Sequence, residues 1–313
     1  MMDEDGERTP FEFDFIGVGG LAYDLMLSVD RLPLAGDSCP AEVAGRLPGG
    51  FGAHATCAAA RLGLRAGYIG WVGDDAEGEM LREDFIQWNV NPAGIMCVRG
   101  EQTPFAVVIA DQRGRRAILR PSLPLDNALF SYEQLQFAAS GKVLYTFPRD
   151  LVWCRQLRDV TLESGGLLAV DAGESLPLRG DELRTCIQMA DVVFISEASL
   201  AKTGLKSLRD LVGQRQWAIM TAGSRGAFGI ESGQRKPVFQ PAPNVPVVDT
   251  TGAGECFHAA LIAARLNGAA LPEALAFANA AAAIKVQQRG PRGGLPTRAE
   301  VEGKLRDRRY QKE

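Results

Sequence analysis

The feature that most constrains this chain is its rhythm. Short apolar runs such as "FDFIGV", "AGYIGWVG", "KVLYTF", "LLAVDA", "DVVFIS" and "WAIMTAG" alternate with stretches of helical periodicity, such as "HATCAAARLGL" and "DDAEGEMLREDFIQWN". Apolar runs of that kind read as strands buried on both faces, and strand–helix alternation builds right-handed βαβ units around a parallel sheet. The first helix is expected to end at Gly63, in the C′ position that favours glycine. The second carries Asp74 and Asp75 at its start, where the helix dipole favours anions. "GAFGIES" reads as one more strand.

Two stretches break the rhythm. "LMLSVDRL" alternates with period two, and "TPFAVVIAD" and "RRAILRPS" flank a "QRG" turn as a hairpin would. Residues 24–47 and 103–120 are therefore expected to form a small, half-exposed antiparallel sheet, a lid on one α/β domain spanning 11–303. Residues 1–10 and 304–313 are expected to be flexible tails. With 313 residues, 46% of them hydrophobic, the chain is long enough for one large core.

Charge and cysteine content narrow the function. The net charge of −4 offers no basic face for nucleic acid, and the C-terminal "KLRDRRYQK" is interrupted by Asp307. The acidic "MMDEDGERTP" is not expected to act as a signal peptide, and no apolar run reaches membrane-spanning length. The six cysteines form no C-x-x-C pair, and the two histidines, His54 and His258, are far apart, so no zinc site is expected. Reduced thiols in a cytoplasmic protein are the expectation.

The glycine motifs carry the chemistry. "GVGGLA" at 17–22 matches a dinucleotide fingerprint, but the following "YDLMLSVDRLP" has strand period, and Asp37 lies in a loop rather than at the end of a second strand. A nicotinamide site is therefore not expected. In "VVDTTGAGECF", Gly252, Ala253 and Gly254 lie where a strand passes into an alanine-rich helix. Unpaired N–H groups and the positive end of the dipole make an anion hole there. Glu255 sits in the first turn, within reach of an attacking hydroxyl. Gly49 and Gly50 open another helix, and "MTAGSRGAFGI" places a glycine-rich turn between two strands. Taken singly, those last two are explained as well by tight turns.

In their order, "GGFGAHATCAAARLG…GYIGWVGDDAEG", "DTTGAGECF" and "FANAAAAIKVQQRGPRGGLPTRAEVE" resemble the signatures of the PfkB, or ribokinase-like, family of carbohydrate kinases, over roughly residues 14–303. The resemblance implies a three-layer α/β/α sandwich with a β-sheet lid, and ATP- and Mg2+-dependent phosphorylation of a sugar or polyol hydroxyl. It implies that Asp24 holds acceptor hydroxyls, with Gly49, Gly50 and His54 on the acceptor side. Thr221, Gly223, Ser224, Gly226 and Thr250 fall on the nucleotide side, Gly252 to Gly254 at the anion hole, and Glu255 at the catalytic base. A monovalent cation such as K+ would lie near the backbone of 249–251 and 285–294, and a homodimer would form through the lid.

The chain departs from the pattern in several places. Glu255 stands where the family has Asp, and one extra methylene displaces the carboxylate by about 1 Å, a shift that can cost about a hundredfold in rate. The N-x-x-E motif that organises magnesium is replaced by Ser196 and Ser199, with Glu197 beside them. His54 and His258 stand where asparagines are usual, which argues against ribose. A nucleoside kinase with Phe105 or Phe51 against the base, or a catalytically weakened sugar- or nucleotide-binding protein, are the alternatives. Which residues hold the metal is left open.

Overall fold

The computed structural model of the protein describes residues 11–113, 115–173, 178–205, 207–211 and 217–307. In chain order the first elements are β1 (Phe15–Val18), β2 (Tyr23–Val29), β3 (Glu42–Pro48), α1 (Phe51–Arg61), β4 (Ala66–Gly73), α2 (Ala76–Gln87) and β5 (Val90–Val98). Next come β6 (Phe105–Asp111), β7 (Arg116–Leu119), α3 (Tyr132–Ala139), β8 (Val143–Thr146), α4 (Leu151–Ser164), β9 (Leu167–Asp171) and α5 (Gly180–Met189). The rest are β10 (Val192–Ser196), α6 (Glu197–Thr203), β11 (Trp217–Thr221), β12 (Gly226–Glu231), β13 (Val238–Pro241), α7 (Ala253–Leu266), α8 (Leu271–Lys285) and α9 (Arg298–Arg306).

The main sheet has the order β13-β12-β11-β10-β9-β8-β1-β4-β5 and is parallel from β11 through β5, with β12 and β13 antiparallel at one edge. Alternate residues of each buried strand feed opposite layers. On β10, Val192 and Phe194 join the core with α1, α7 and α8, while Val193 and Ile195 join the core with α3, α4 and α5. This is the expected three-layer α/β/α sandwich. Two edge strands have weak sequence signals. β5, "VNPAGIMCV", carries Pro92 and Gly94, which an edge strand tolerates because one side of its backbone needs no partner. β13 has only four residues, half of them exposed.

Gly17 shows why helix and sheet approach so closely at β1. A Cβ there would lie 1.9 Å from Thr56 Oγ1 on α1. Helices α7 and α8 are rich in alanine and mostly buried along their length, so they pack against α1 and each other with small side chains. Helix α9 runs to Arg306, so Lys304 to Arg306 are helical rather than part of the expected tail; Thr297 caps this helix by accepting from Glu300 N. Residues 1–10 and 308–313 lie outside the described residues.

The lid is a separate four-stranded sheet of order β3-β2-β6-β7. Its outer pairs are antiparallel as expected, but β2 and β6 pair in parallel, with Tyr23 opposite Phe105 and Asp24 opposite Ala106. The physical reason is their origin. β1 and β5 are both strands of the parallel sheet, so the chain leaves each at the same sheet edge and β2 and β6 set out in the same sense. Asp75 anchors this exit. Its Oδ1 caps α2 by accepting from Gly78 N (2.8 Å), and its Oδ2 accepts from Thr103 N (2.8 Å), just before β6. Gly73 and Gly78 allow the turn, since Cβ atoms on them would lie 2.2 Å from Glu101 O and 2.4 Å from Gly73 O. The G-x-D-x-x-G run at 73–78 thus works as a hinge support for the lid.

Candidate active site

In an open parallel sheet, ligands collect beyond the carboxyl ends of the strands where the strand order reverses. Here the order reverses at β1, which lies between β4 and β8. The residues singled out from sequence gather along that edge: Asp24 near the start of β2, the lid strand that follows β1, Ser196 at the end of β10 and Thr221 at the end of β11.

On the acceptor side, Gly49 N donates to Ala22 O (2.8 Å), and a Cβ on Gly49 would lie 3.1 Å from Asp24 Oδ1. The glycine pair therefore lets backbone lie directly against the carboxylate. Gly50 has φ of 100° and begins α1, with Gly20 O close by. Burial pushes the Asp24 carboxyl above the ordinary aspartate value, while Arg120 and Arg116 on the lid pull it down. Arg116 also links the two halves of the site, since its Nη1 makes a long hydrogen bond to Thr251 Oγ1 (3.4 Å).

His54 lies in the first turn of α1 and is buried. Its Nδ1 accepts from Arg292 Nε (3.3 Å), and Arg292 is itself paired with Asp84. Burial first, then the positive charges of Arg292 and Lys285, push the imidazole down to about 3, so His54 is neutral at physiological pH. Phe105 does not join this group. It stacks on Tyr23 with centroids 5.5 Å apart, and Tyr23 precedes Asp24 on β2, so the two point to opposite faces of the lid. The side chain of Phe51 lies outside the described residues.

On the nucleotide side, Thr221 pairs with Ser196 across β10 and β11. Gly223 (φ 57°) and Gly226 (φ 119°) form the turn, and Ser224 is exposed between them. A Cβ on Gly226 would lie 2.2 Å from Gln240 O, so that glycine is required by β13. Ser196 caps α6, its Oγ accepting from Ser199 N (3.0 Å) and lying 2.9 Å from Ser199 Oγ. The neighbouring Glu197 is ion-paired to Arg225.

The loop before α7 is braced by Asp249. Its Oδ1 accepts from Thr251 N (2.9 Å) and Thr251 Oγ1 (2.7 Å), and its Oδ2 from Gly290 N (2.8 Å). The fully buried Lys285 donates to Asp249 O (3.2 Å). Gly252 has φ of 79°, and a Cβ on it would lie 2.3 Å from Pro291 O. The anion hole is narrower than the sequence suggests. Ala253 N donates to Thr250 O (3.1 Å), closing the turn, and the Glu255 N–H faces its own carboxylate. The Ala253 amide is thus not available to an anion, and Thr250 contributes its carbonyl to the turn. Gly252 and Gly254 remain, and the space beside Gly254 is open.

Glu255 is half-buried in the first turn of α7. Burial and then the Asp171 carboxylate push its carboxyl above the ordinary value, while its own N–H, His258 and Lys285 pull it down. The helix terminus alone would have lowered it. Asp171, Tyr145 and Lys285 beside Glu255, and Arg292 beside His54, are polar neighbours that sequence reasoning missed, and His258, noted there only as a departure from asparagine, joins the group at Glu255. Asp171 carried a signal, as an acid closing the apolar run "LLAVDA". Among the described residues, no group of three or more His, Cys, Asp or Glu is arranged to hold a metal.

Comparison with known proteins identifies the family. The profile described as pfkB family carbohydrate kinase matches residues 16–298. The chain belongs to that family. Family membership makes it a phosphotransferase with an alcohol acceptor. Fructokinase-1 of Oryza sativa subsp. japonica is 30% identical over 314 residues, covering 91% of this chain and 95% of its own. The ribokinase of Bacillus subtilis is 28% identical over 300 residues, covering 91% and 97%. In fold, the structure of Arabidopsis thaliana ribokinase complexed with ribose and ATP superposes with a TM-score of 0.82, at 24% identity, over 95% of this chain and 99% of that one.

Proposed function

We propose that this pfkB kinase transfers the γ-phosphoryl group of ATP to a hydroxyl of a sugar or related polyol, with Glu255 as the base. One observation carries the reading: a half-buried carboxylate, raised in proton affinity, stands next to Gly254 and the open space beside it at the mouth of α7, at the end of the sheet over which the lid strand bearing Asp24 lies. Asp24 and the backbone of Gly49 orient the acceptor. Glu255 takes the hydroxyl proton as the bond to phosphorus forms. The amides of Gly252 and Gly254 stabilise charge on the moving phosphoryl group. Thr221, Gly223 and Ser224 lie one strand beyond Ser196 on the same edge and would face the nucleotide.

Magnesium bound with ATP neutralises phosphate charge. The donor set here suits contacts through water, because Ser196 and Ser199 bring no carboxylate and Glu197 is turned to Arg225. A monovalent cation such as K+ would draw on carbonyls of the 249–251 loop. Phe105, turned away from Asp24, leaves no described lid aromatic for a nucleobase on the acceptor side, which favours sugar over nucleoside.

The lid face opposite Asp24 carries Leu25, Leu27, Val107 and Ile109 with the exposed Val43 and Leu119, and pairing of two such faces would give a homodimer. Among the described residues no helix is long and apolar enough to cross a membrane.

The test is ADP formation over a panel of sugars, polyols and nucleosides, with wild type and Glu255→Gln. A loss of about a hundredfold or more in kcat is expected for the variant, with ATP binding kept. Equal turnover would remove Glu255 from the chemistry, and ADP formation with nucleosides alone would overturn the sugar assignment.

A further inference from the structure

Behind Glu255 lies a polar cluster in an otherwise apolar core. Tyr145 ends one residue short of the β8 terminus, Asp171 closes β9, and His258 is one turn along α7 from Glu255. All three are buried. Tyr145 Oη donates to Asp171 Oδ2 (3.0 Å), His258 Nδ1 lies 3.1 Å from the same oxygen, and Tyr145 Oη and His258 Nδ1 are 3.0 Å apart. Phe194 stacks on the imidazole with centroids 4.2 Å apart, fixing its plane.

A buried carboxylate is costly unless donors hold it. Here two protons meet one oxygen. With Tyr145 O–H and an Nδ1–H of His258 both directed at Oδ2, the buried carboxylate has two donors on one oxygen. Neither donor cancels the charge. Residues three apart on a helix share a face, so the Asp171–His258 pair stands against the face that bears Glu255. Such a cluster does more than fill space, since an apolar trio would pack at lower cost.

We propose that Asp171, clamped by Tyr145 and His258, is a positioning residue for the base, its buried carboxylate set against the face of α7 that bears Glu255. This rests on Glu255 being the base. Burial first and then the Asp171 charge push the Glu255 carboxyl above its ordinary value, the direction this placement demands. The other groups that face Glu255 are His258 and Cys256 on α7, Tyr145 on β8 and Lys285 on α8. Lys285 acts in the opposite sense, and its ammonium is directed to Asp249 O. The chain thus sets an acid in front of an acid, where the longer glutamate replaces the family's aspartate.

The experiment is a pH-resolved double-mutant cycle on the full chain: wild type, Glu255→Gln, Asp171→Asn and the double variant. The first readout is the acid limb of kcat/KM for ADP formation. In Asp171→Asn this limb moves to lower pH by about one unit, because a lost like charge eases ionisation of Glu255. The plateau rate falls while KM for ATP stays within about twofold, since one displaced residue away from the nucleotide leaves uniform binding intact.

The second readout needs no activity. A carboxyl with a raised value in the folded state loses stability as pH rises from its unfolded value to its folded one. The wild-type minus Glu255→Gln stability difference, from denaturant melts between pH 4 and 8 (on the order of the carboxylate range and above), falls over that window. The window shortens in the Asp171→Asn background. An unmoved limb together with the same stability difference in both backgrounds overturns the proposal. A shortened window with Glu255→Gln still fully active keeps the charge coupling and sinks the base assignment instead. If Asp171→Asn does not fold, Asp171→Ser removes the same charge with a smaller polar side chain and shifts both readouts the same way; an unmoved pair of readouts there overturns the proposal as well.

Discussion

Replacing Gly252 by alanine puts the anion hole to its most direct test. The residue holds φ of 79°, where an L side chain costs about 1–2 kcal/mol. Its Cβ would sit 2.3 Å from the Pro291 carbonyl oxygen, while ordinary contact begins at 3.4 Å. Either Pro291 or the mouth of α7 must therefore give by about 1 Å, and Pro291 is held close to the loop by the Gly290 N–H to Asp249 bond. A shift of that size at a group that stabilises the moving phosphoryl costs about a hundredfold in kcat. Steady-state ADP formation measures it, with thermal melting alongside. The strain alone lowers Tm by a few degrees, so the protein stays folded at assay temperature. Gly254→Ala is the paired control. Its Cβ meets nothing within 4 Å and it stands in the first turn of a helix, so stability is kept or rises by up to about 1 kcal/mol, yet the methyl group occupies the place of the anion. A Gly252→Ala variant with kcat within about twofold of wild type, folded and with ATP bound, would refute the reasoning that the helix mouth stabilises the transferred group.

The neutral, buried His54 should make the protein acid-sensitive. Its folded value of about 3 lies below the unfolded value near 6.5, so its contribution is present above 6.5 and is lost as pH falls toward 3. Between pH 7.5 and 5.5 this amounts to about 1.4 kcal/mol, read as a loss in unfolding free energy that His54→Asn should largely abolish; equal acid loss in both proteins would assign the sensitivity elsewhere. Val43→Lys with Leu119→Lys should convert a lid-paired dimer into a monomer in sedimentation at micromolar concentration without changing the fold, and an unchanged sedimentation coefficient with wild type dimeric would place the interface elsewhere. Asp75→Asn keeps the α2 cap but weakens the bond to Thr103 N, so KM for the acceptor should rise by several-fold as the lid loosens, while Tm moves little; an unchanged KM would show that the lid is held by its strands alone.

Much of this architecture is written locally. Apolar runs with strand length, helical periods between them and glycines at their ends are local signals, and they sufficed for the three layers, the lid and the mouth of α7. Gly252 and Gly50 were legible for the same reason, since a positive φ at a strand-to-helix turn is a backbone demand that sequence registers directly. What depended on distant contacts was not legible. The parallel pairing of β2 with β6 follows from two chain exits 80 or so residues apart sharing one sheet edge, and the turning of Phe105 away from Asp24 follows from that register. The Ala253 amide was lost to Thr250 by the geometry of one turn. Above all, the proton affinity of Glu255 was a tertiary matter. Sequence places the carboxylate at a helix N-terminus, which alone favours the charged form. Folding brings Asp171 from β9 and withdraws water, and both favour the proton. Electrostatic energy depends on distance and solvent, neither of which a linear pattern contains.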